Sequence, residues 1–166
     1  MARARKYWLM KSEPGAYAIG DLERDGTTSW EGVRNYRARN LLRDEVAPGD
    51  LVLFYASSAD PSGVTGVAEV ARGGYPDPFQ FAKGHDYYDP KSRPEEPAWY
   101  TVDLRFVERF PEIVPLERLK TTPGLEDMMV TKKGGARLSV QPVAREEFDI
   151  VRKLGRGDSS GRPRRA

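Results

Sequence analysis

The clearest patterning of apolar and polar positions lies between Ala98 and Phe110. There Tyr100, Val102, Leu104 and Phe106 face one way while Thr101, Asp103 and Arg105 face the other, the two-residue period of a strand buried on one side. Leu51–Tyr55 is apolar at every position, as a strand covered on both faces must be. Lys6–Lys11, Val64–Ala71 and Ala136–Val140 read as three further strands, bounded by charge, glycine or proline, with Pro142 closing the last run. The period changes at Tyr36–Val46, where Ala38, Leu41, Leu42 and Val46 recur at threes and fours, and this predicts a helix. Gly32 is predicted to turn the chain with φ above zero and Asn35 to cap that helix. Phe148, Ile150, Val151 and Leu154 predict a second helix over Glu146–Leu154, whose cap position, Ala144, has no side-chain oxygen to offer. Shorter helical pieces are expected at Ile19–Glu23, from Pro115 onward and at Leu125–Val130. Asp25–Ser29 reads as loop, as does the proline-rich stretch Gly73–Pro97, although Phe79, Phe81, Tyr87 and Tyr88 within it need somewhere to pack. Strands interleaved irregularly with helices predict an α+β domain, a small curved or barrel-like sheet with helices at its ends.

Composition narrows the class. The 166 residues suffice for one domain with a real core, and no apolar run nears the roughly 20 residues of a membrane helix. With no cysteine there is neither a disulfide framework nor thiolate chemistry, and a cytoplasmic protein is expected, with the nucleus open in a eukaryote. The net charge of +2 divides unevenly. Residues 1–6 and 155–166 carry +3 each, which leaves −4 on the body from 7 to 154. An acidic body is not that of a non-specific duplex binder, so any meeting with nucleic acid requires a local patch or a pocket. The tails, 1–5 and 155–166, are expected to supply non-selective affinity, and the second is predicted to be disordered.

Most enzyme chemistries fail on inventory. One histidine and no cysteine cannot furnish the ligands of a zinc deaminase. A serine triad would have to use His85, in a charged and proline-rich loop, without a nucleophile-elbow motif. The Gly73-Gly74 and Gly134-Gly135 pairs lack the spacing of a phosphate-binding loop.

Several windows then occur in order: K-Y-W-L-M-K-S-E-P (6–14), W-E-G-V-R-N-Y-R-A-R-N (30–40), F-Y-A-S (54–57), Y-P-D-P (75–78), Y-Y-D-P-K-S (87–92), R-L-S-V-Q-P-V (137–143) and E-E-F (146–148). Together they resemble the EVE domain family over residues 6–154. The resemblance implies a PUA-like fold, a mostly antiparallel, barrel-like sheet flanked by short helices, related to YTH and ASCH domains. It also implies a non-catalytic pocket for a modified nucleobase, a modified cytosine or another modified base, presented on DNA or RNA. Relatives commonly carry a histidine after the F-Y pair, where this chain has Ala56, so ligand preference need not follow theirs.

A base taken out of its stack needs flat apolar walls and polar groups along its edge. Trp30, Tyr36, Phe54 and Tyr55 are the candidate walls, with Phe54 weighted toward the core, and Trp8 and Trp99 read as core. Lys11, Ser12, Glu13 and Asn35 are the candidate edge readers, and Val33 and Ser57 complete the ligand-binding set. Arg34, Arg37 and Arg39 are the candidate phosphate contacts, with Lys132 and Lys133 as a further patch that also fits a solvated turn. No cofactor and no metal are expected, and a monomer is. Two other readings stand beside this one. An ASCH-like amidohydrolase acting on an acylated cytosine would use Lys11, Ser12 and Glu13, although neighbours on a strand alternate faces. A protein-interaction module without nucleic acid also fits the acidic body.

Overall fold

The computed structural model describes residues 4–132 and 137–157. The elements run β1 (Tyr7–Ser12), α1 (Ile19–Asp25), β2 (Thr27–Ser29), α2 (Tyr36–Asp44), β3 (Leu51–Ala56), β4 (Gly63–Pro76), β5 (Tyr100–Pro115), α3 (Leu116–Thr121), β6 (Val140–Val143) and α4 (Arg145–Gly155). The six strands form one sheet in the order β2-β5-β4-β3-β1-β6, open at both edges rather than closed into a barrel. β1 and β3 pair in parallel, and every other pairing is antiparallel.

β3 is buried at all of its positions because the sheet is covered on both sides. One layer gathers Trp8, Met10, Leu22, Trp30, Ala38, Leu42 and Phe54 under α1 and α2. The opposite layer gathers Leu9, Leu53, Tyr55, Val67, Leu119, Phe148 and Val151 under α3 and α4. Buried Asp50 ties the start of β1 to the turn before β3, accepting hydrogen bonds from the Trp8 indole at 2.9 Å and the Lys6 and Ala47 amides at 3.0 Å.

Several boundaries differ from the sequence expectation. The last strand is Val140–Val143 rather than Ala136–Val140, and Pro142 lies within it. A residue lacking an N–H is tolerated there because β6 is an edge strand. Ala136 lies outside the described residues, as do Met1–Arg3 and the tail beyond Gly157. β2 forms where a loop is expected, because Thr27–Ser29 finds a free edge on β5. β4 and β5 run past their expected C-terminal ends, to Pro76 and Pro115, while β5 starts at Tyr100 rather than Ala98. Pro115 therefore ends β5 and caps α3 instead of opening it. Ala144 offers no cap, as expected, but Glu147 reaches back to accept its amide at 2.8 Å.

Candidate nucleic-acid interface

A cavity of about 880 Å³ opens where three connections leave the sheet, within the size range of small-molecule sites. Lys11, Ser12 and Glu13 reach it from the end of β1, Trp30–Asn35 from the link between β2 and α2, and Ser57 from the end of β3. Arg137 and Ser139 close one side and Tyr87 another.

The Trp30–Asn35 link is shaped by glycine, carboxylate and cap. Gly32 has φ +87°, and a Cβ there would fall 2.4 Å from the Tyr87 ring, so only glycine fits both demands. Its amide donates to Asp77 Oδ2 at 2.9 Å. Arg34 donates to the same carboxylate at 3.1 Å, to the Val33 carbonyl at 3.1 Å and to the Tyr87 carbonyl at 2.8 Å. Asp77 is fully buried and also accepts the Phe79 amide at 2.9 Å. The Asn35 side chain accepts the Ala38 amide at 3.0 Å, the expected cap of α2.

The proline-rich excursion is ordered by Gln80. Its amide group donates to the carbonyls of Asp77 and Trp99 at 2.8 Å, and its oxygen accepts from the Ser92 hydroxyl at 2.5 Å and the Trp99 amide at 3.0 Å. A fully buried amide with its polar atoms paired fixes both ends of a segment that has little regular structure. That is how Tyr87 comes to stand over Gly32.

Around the cavity, the Ser12 hydroxyl donates to the Tyr17 carbonyl at 2.6 Å, and the Ser29 hydroxyl donates to the Glu31 carboxylate. The Lys11 ammonium lies 5.7 Å from the Tyr55 ring centroid. Burial draws its pKa below the usual lysine value.

The expected site residues divide into those around the cavity and those away from it. Lys11, Ser12, Glu13, Trp30, Val33, Arg34, Asn35 and Ser57 line it. Glu13 lies beyond the last residue of β1, whereas Lys11 and Ser12 are within it and still alternate, the Lys11 ammonium over the Tyr55 ring and the Ser12 hydroxyl on the Tyr17 carbonyl. Trp30 belongs to the core as well: it is 7% exposed and meets Phe54 edge-on at 5.4 Å. Phe54 is buried beneath it and does not reach the cavity, and Tyr55 packs in the opposite layer. Tyr36 points away, its ring stacked on Trp99. Ala56 is buried at the end of β3 and does not line the cavity.

Among the expected phosphate contacts, Arg34 is committed to Asp77 and to backbone carbonyls, and Arg39 donates to the Ala98 carbonyl at 2.6 Å. Arg37 is exposed, and its side chain has no partner among the described residues. Lys132 stands away from the cavity, 3.9 Å from Asp127, and Lys133 lies outside the described residues. Asp77, Arg137 and Ser139 were not among the expected site residues, and the sequence leaves Tyr87 open between anchoring its loop and covering a pocket. All four sit inside motif windows, but their neighbours at the site are remote in sequence.

The sequence matches the family model described as EVE domain over residues 6–154. The chain belongs to the EVE domain family. This EVE domain is 40% identical over 167 residues to thymocyte nuclear protein 1 of Mus musculus, covering 89% of this chain and 73% of that one. Its fold matches a hypothetical protein from Leishmania major with a TM-score of 0.87 at 40% identity, covering 93% of this chain and 96% of the other. It also matches human THYN1 protein, solved in complex with 5-methylcytosine-containing DNA, with a TM-score of 0.82 at 37% identity over 95% of this chain and 99% of that one. The open α+β sheet is thus the PUA-like arrangement expected for the EVE domain. Among the described residues no helix is long and apolar enough to cross a membrane. The relatives' name says nuclear, so the cytoplasmic expectation gains no support from them.

Proposed function

We propose that this EVE domain is a non-catalytic reader that accepts one modified cytosine, extruded from DNA, in the cavity between the ends of β1 and β3 and the start of α2. The observation that carries this reading is the ligand-sized cavity itself, in whose lining Trp30 and Val33 from the β2–α2 link join Lys11, Ser12 and Glu13 from the end of β1. A cytosine presents two acceptors, O2 and N3, and one donor, the exocyclic amine, along its pairing edge. Lys11 supplies the donor to those acceptors, and Glu13, exposed on the same rim, supplies an acceptor for the amine. Trp30 and Val33 give the apolar wall on which a 5-methyl group rests. Arg137, exposed in the cavity's lining, and exposed Arg37, two residues past Asn35, would take the strand's phosphates. The human relative solved with 5-methylcytosine-containing DNA supports the choice of ligand class.

The hydrolase reading requires Lys11, Ser12 and Glu13 to act together, yet the Ser12 hydroxyl is already engaged by the Tyr17 carbonyl at 2.6 Å. The experiment is fluorescence anisotropy with four oligonucleotides of one sequence: DNA and RNA, each with cytosine or 5-methylcytosine at the centre. Selective binding of methylated DNA is expected, with Lys11→Met losing that selectivity. Equal affinity for methylated and unmethylated strands refutes the reading. Turnover of an acylated cytosine nucleoside would replace it with the hydrolase.

A further inference from the structure

Tyr36 is the most exposed large aromatic among the described residues, at 61%. It directly follows Asn35, which lines the cavity, and yet it is outside that cavity. Its ring is held by a ladder of flat groups that begins inside the site. The Arg34 guanidinium lies 5.2 Å from the Tyr87 ring and 5.3 Å from the Trp99 ring. Trp99 in turn stacks on Tyr36, with centroids 4.9 Å apart and planes inclined by 23°. The Trp99 indole is itself fixed by its bond to Asp89 at 2.7 Å. Arg39 lies 5.0 Å over the Tyr36 ring while donating to the Ala98 carbonyl. A large ring held rigidly in solvent gains little for the fold, whereas a fixed ring beside a cavity mouth is a stacking surface.

We propose that Tyr36 is a second contact to nucleic acid, outside the cavity, which stacks against the base next to the extruded one and holds the duplex open. The inference rests on the cavity reading above. Taking a base out of a duplex leaves its neighbours unstacked, and proteins that open base steps commonly insert a side chain there. The cationic surroundings fit that occupant: Arg37 is exposed, with no side-chain partner among the described residues, and Arg39 stands over the ring, so an anionic strand is favoured over an acidic protein partner. The ladder also explains why the ring is rigid: it shares Arg34 with the loop that forms the cavity wall.

The test compares a methylated duplex with the same methylated strand alone, using the wild-type chain, Tyr36→Ala and Tyr36→Phe. A single strand needs no opening, so it isolates the cavity from the stacking contact. Tyr36→Ala is expected to weaken duplex binding about tenfold and single-strand binding less than about twofold. Tyr36→Phe keeps the flat ring and is expected to retain both affinities. Thermal melting should leave Tyr36→Ala folded, since the ring it removes is mostly in solvent. The proposal is overturned if Tyr36→Ala leaves duplex affinity unchanged. It is equally overturned if the loss is the same for duplex and single strand, because Tyr36 would then act only through the shape of the cavity. Wild-type protein that does not separate methylated from unmethylated single strands refutes the cavity reading, and this inference falls with it.

Discussion

Replacing Asp77 with alanine tests how the cavity is held together. The carboxylate is fully buried and accepts two backbone amides, of Gly32 and Phe79, as well as the Arg34 guanidinium. Removing one partner of a buried ion pair costs about 3–5 kcal/mol, because the other charge is left uncompensated. Here the lower end applies: the Arg34 side chain is 22% exposed and keeps its bonds to the Val33 and Tyr87 carbonyls. A loss of about 3 kcal/mol is a large share of the roughly 5–15 kcal/mol that stabilises a domain. For a chain of this length it corresponds to a fall in Tm of about 6–12 °C. Urea unfolding followed by tryptophan fluorescence measures it, with the denaturant dependence expected to be unchanged. The difference should survive high salt, since a buried pair is little screened. A double-mutant cycle with Arg34→Ala should return a coupling of at least about 1 kcal/mol. A loss below about 1 kcal/mol, or strict additivity with Arg34→Ala, refutes the claim that this carboxylate clamps the loop.

Three further outcomes follow from the same geometry. Gly32→Ala forces a left-handed backbone on a side chain and drives the Tyr87 ring aside, so it should cost about 1–2 kcal/mol in chemical denaturation and reduce selectivity for methylated strands. Trp30→Ala should lose about 3–5 kcal/mol of stability, because the indole is core as well as wall. Trp30→Phe is the variant that should stay folded while binding the methylated strand more weakly, and equal binding would remove Trp30 from the site. Burial lowers the Lys11 pKa, so its charge is lost at a lower pH than that of an exposed lysine. The sign is that charged Lys11 opposes folding slightly at pH values below its folded pKa, and that cost is relieved progressively as pH rises from there to the ordinary lysine value. Binding that relies on the charge should therefore weaken early in an alkaline titration, and Lys11→Met should remove that early limb.

What could be read from the sequence was local. The Gly32 turn, the Asn35 cap and the doubly buried β3 each depend on residues within a few positions of one another, and all three are found in the structure. Tyr36 is a candidate wall for its flat aromatic ring, but at about 100° per residue it stands some 200° from Ala38 around the helix. With Ala38 in the core, the tyrosine had to face solvent. Asp77 and Gln80 were invisible for a different reason. Their partners at Gly32, Arg34 and Trp99 lie between 19 and 45 positions away, and only the folded chain brings them together. The Arg34–Asp77 pair was hidden for the same cause, since nothing near Arg34 in sequence reveals the carboxylate it bonds.

The parallel pairing of β1 with β3 has a consequence for how such a domain diversifies. In a sheet otherwise built of reversals, these two neighbours alone deliver the chain to the same end, and the Ser57 amide bonds the Ser12 carbonyl at 2.9 Å where they leave. Crevices outside the carboxyl ends of adjacent parallel strands are natural ligand sites. The segments that follow, 13–18 and 57–62, can therefore change in length or sequence without disturbing the register behind them. Frame and specificity are inherited separately, so grafting these two segments between relatives should transfer base preference while leaving the recipient's melting temperature nearly unchanged.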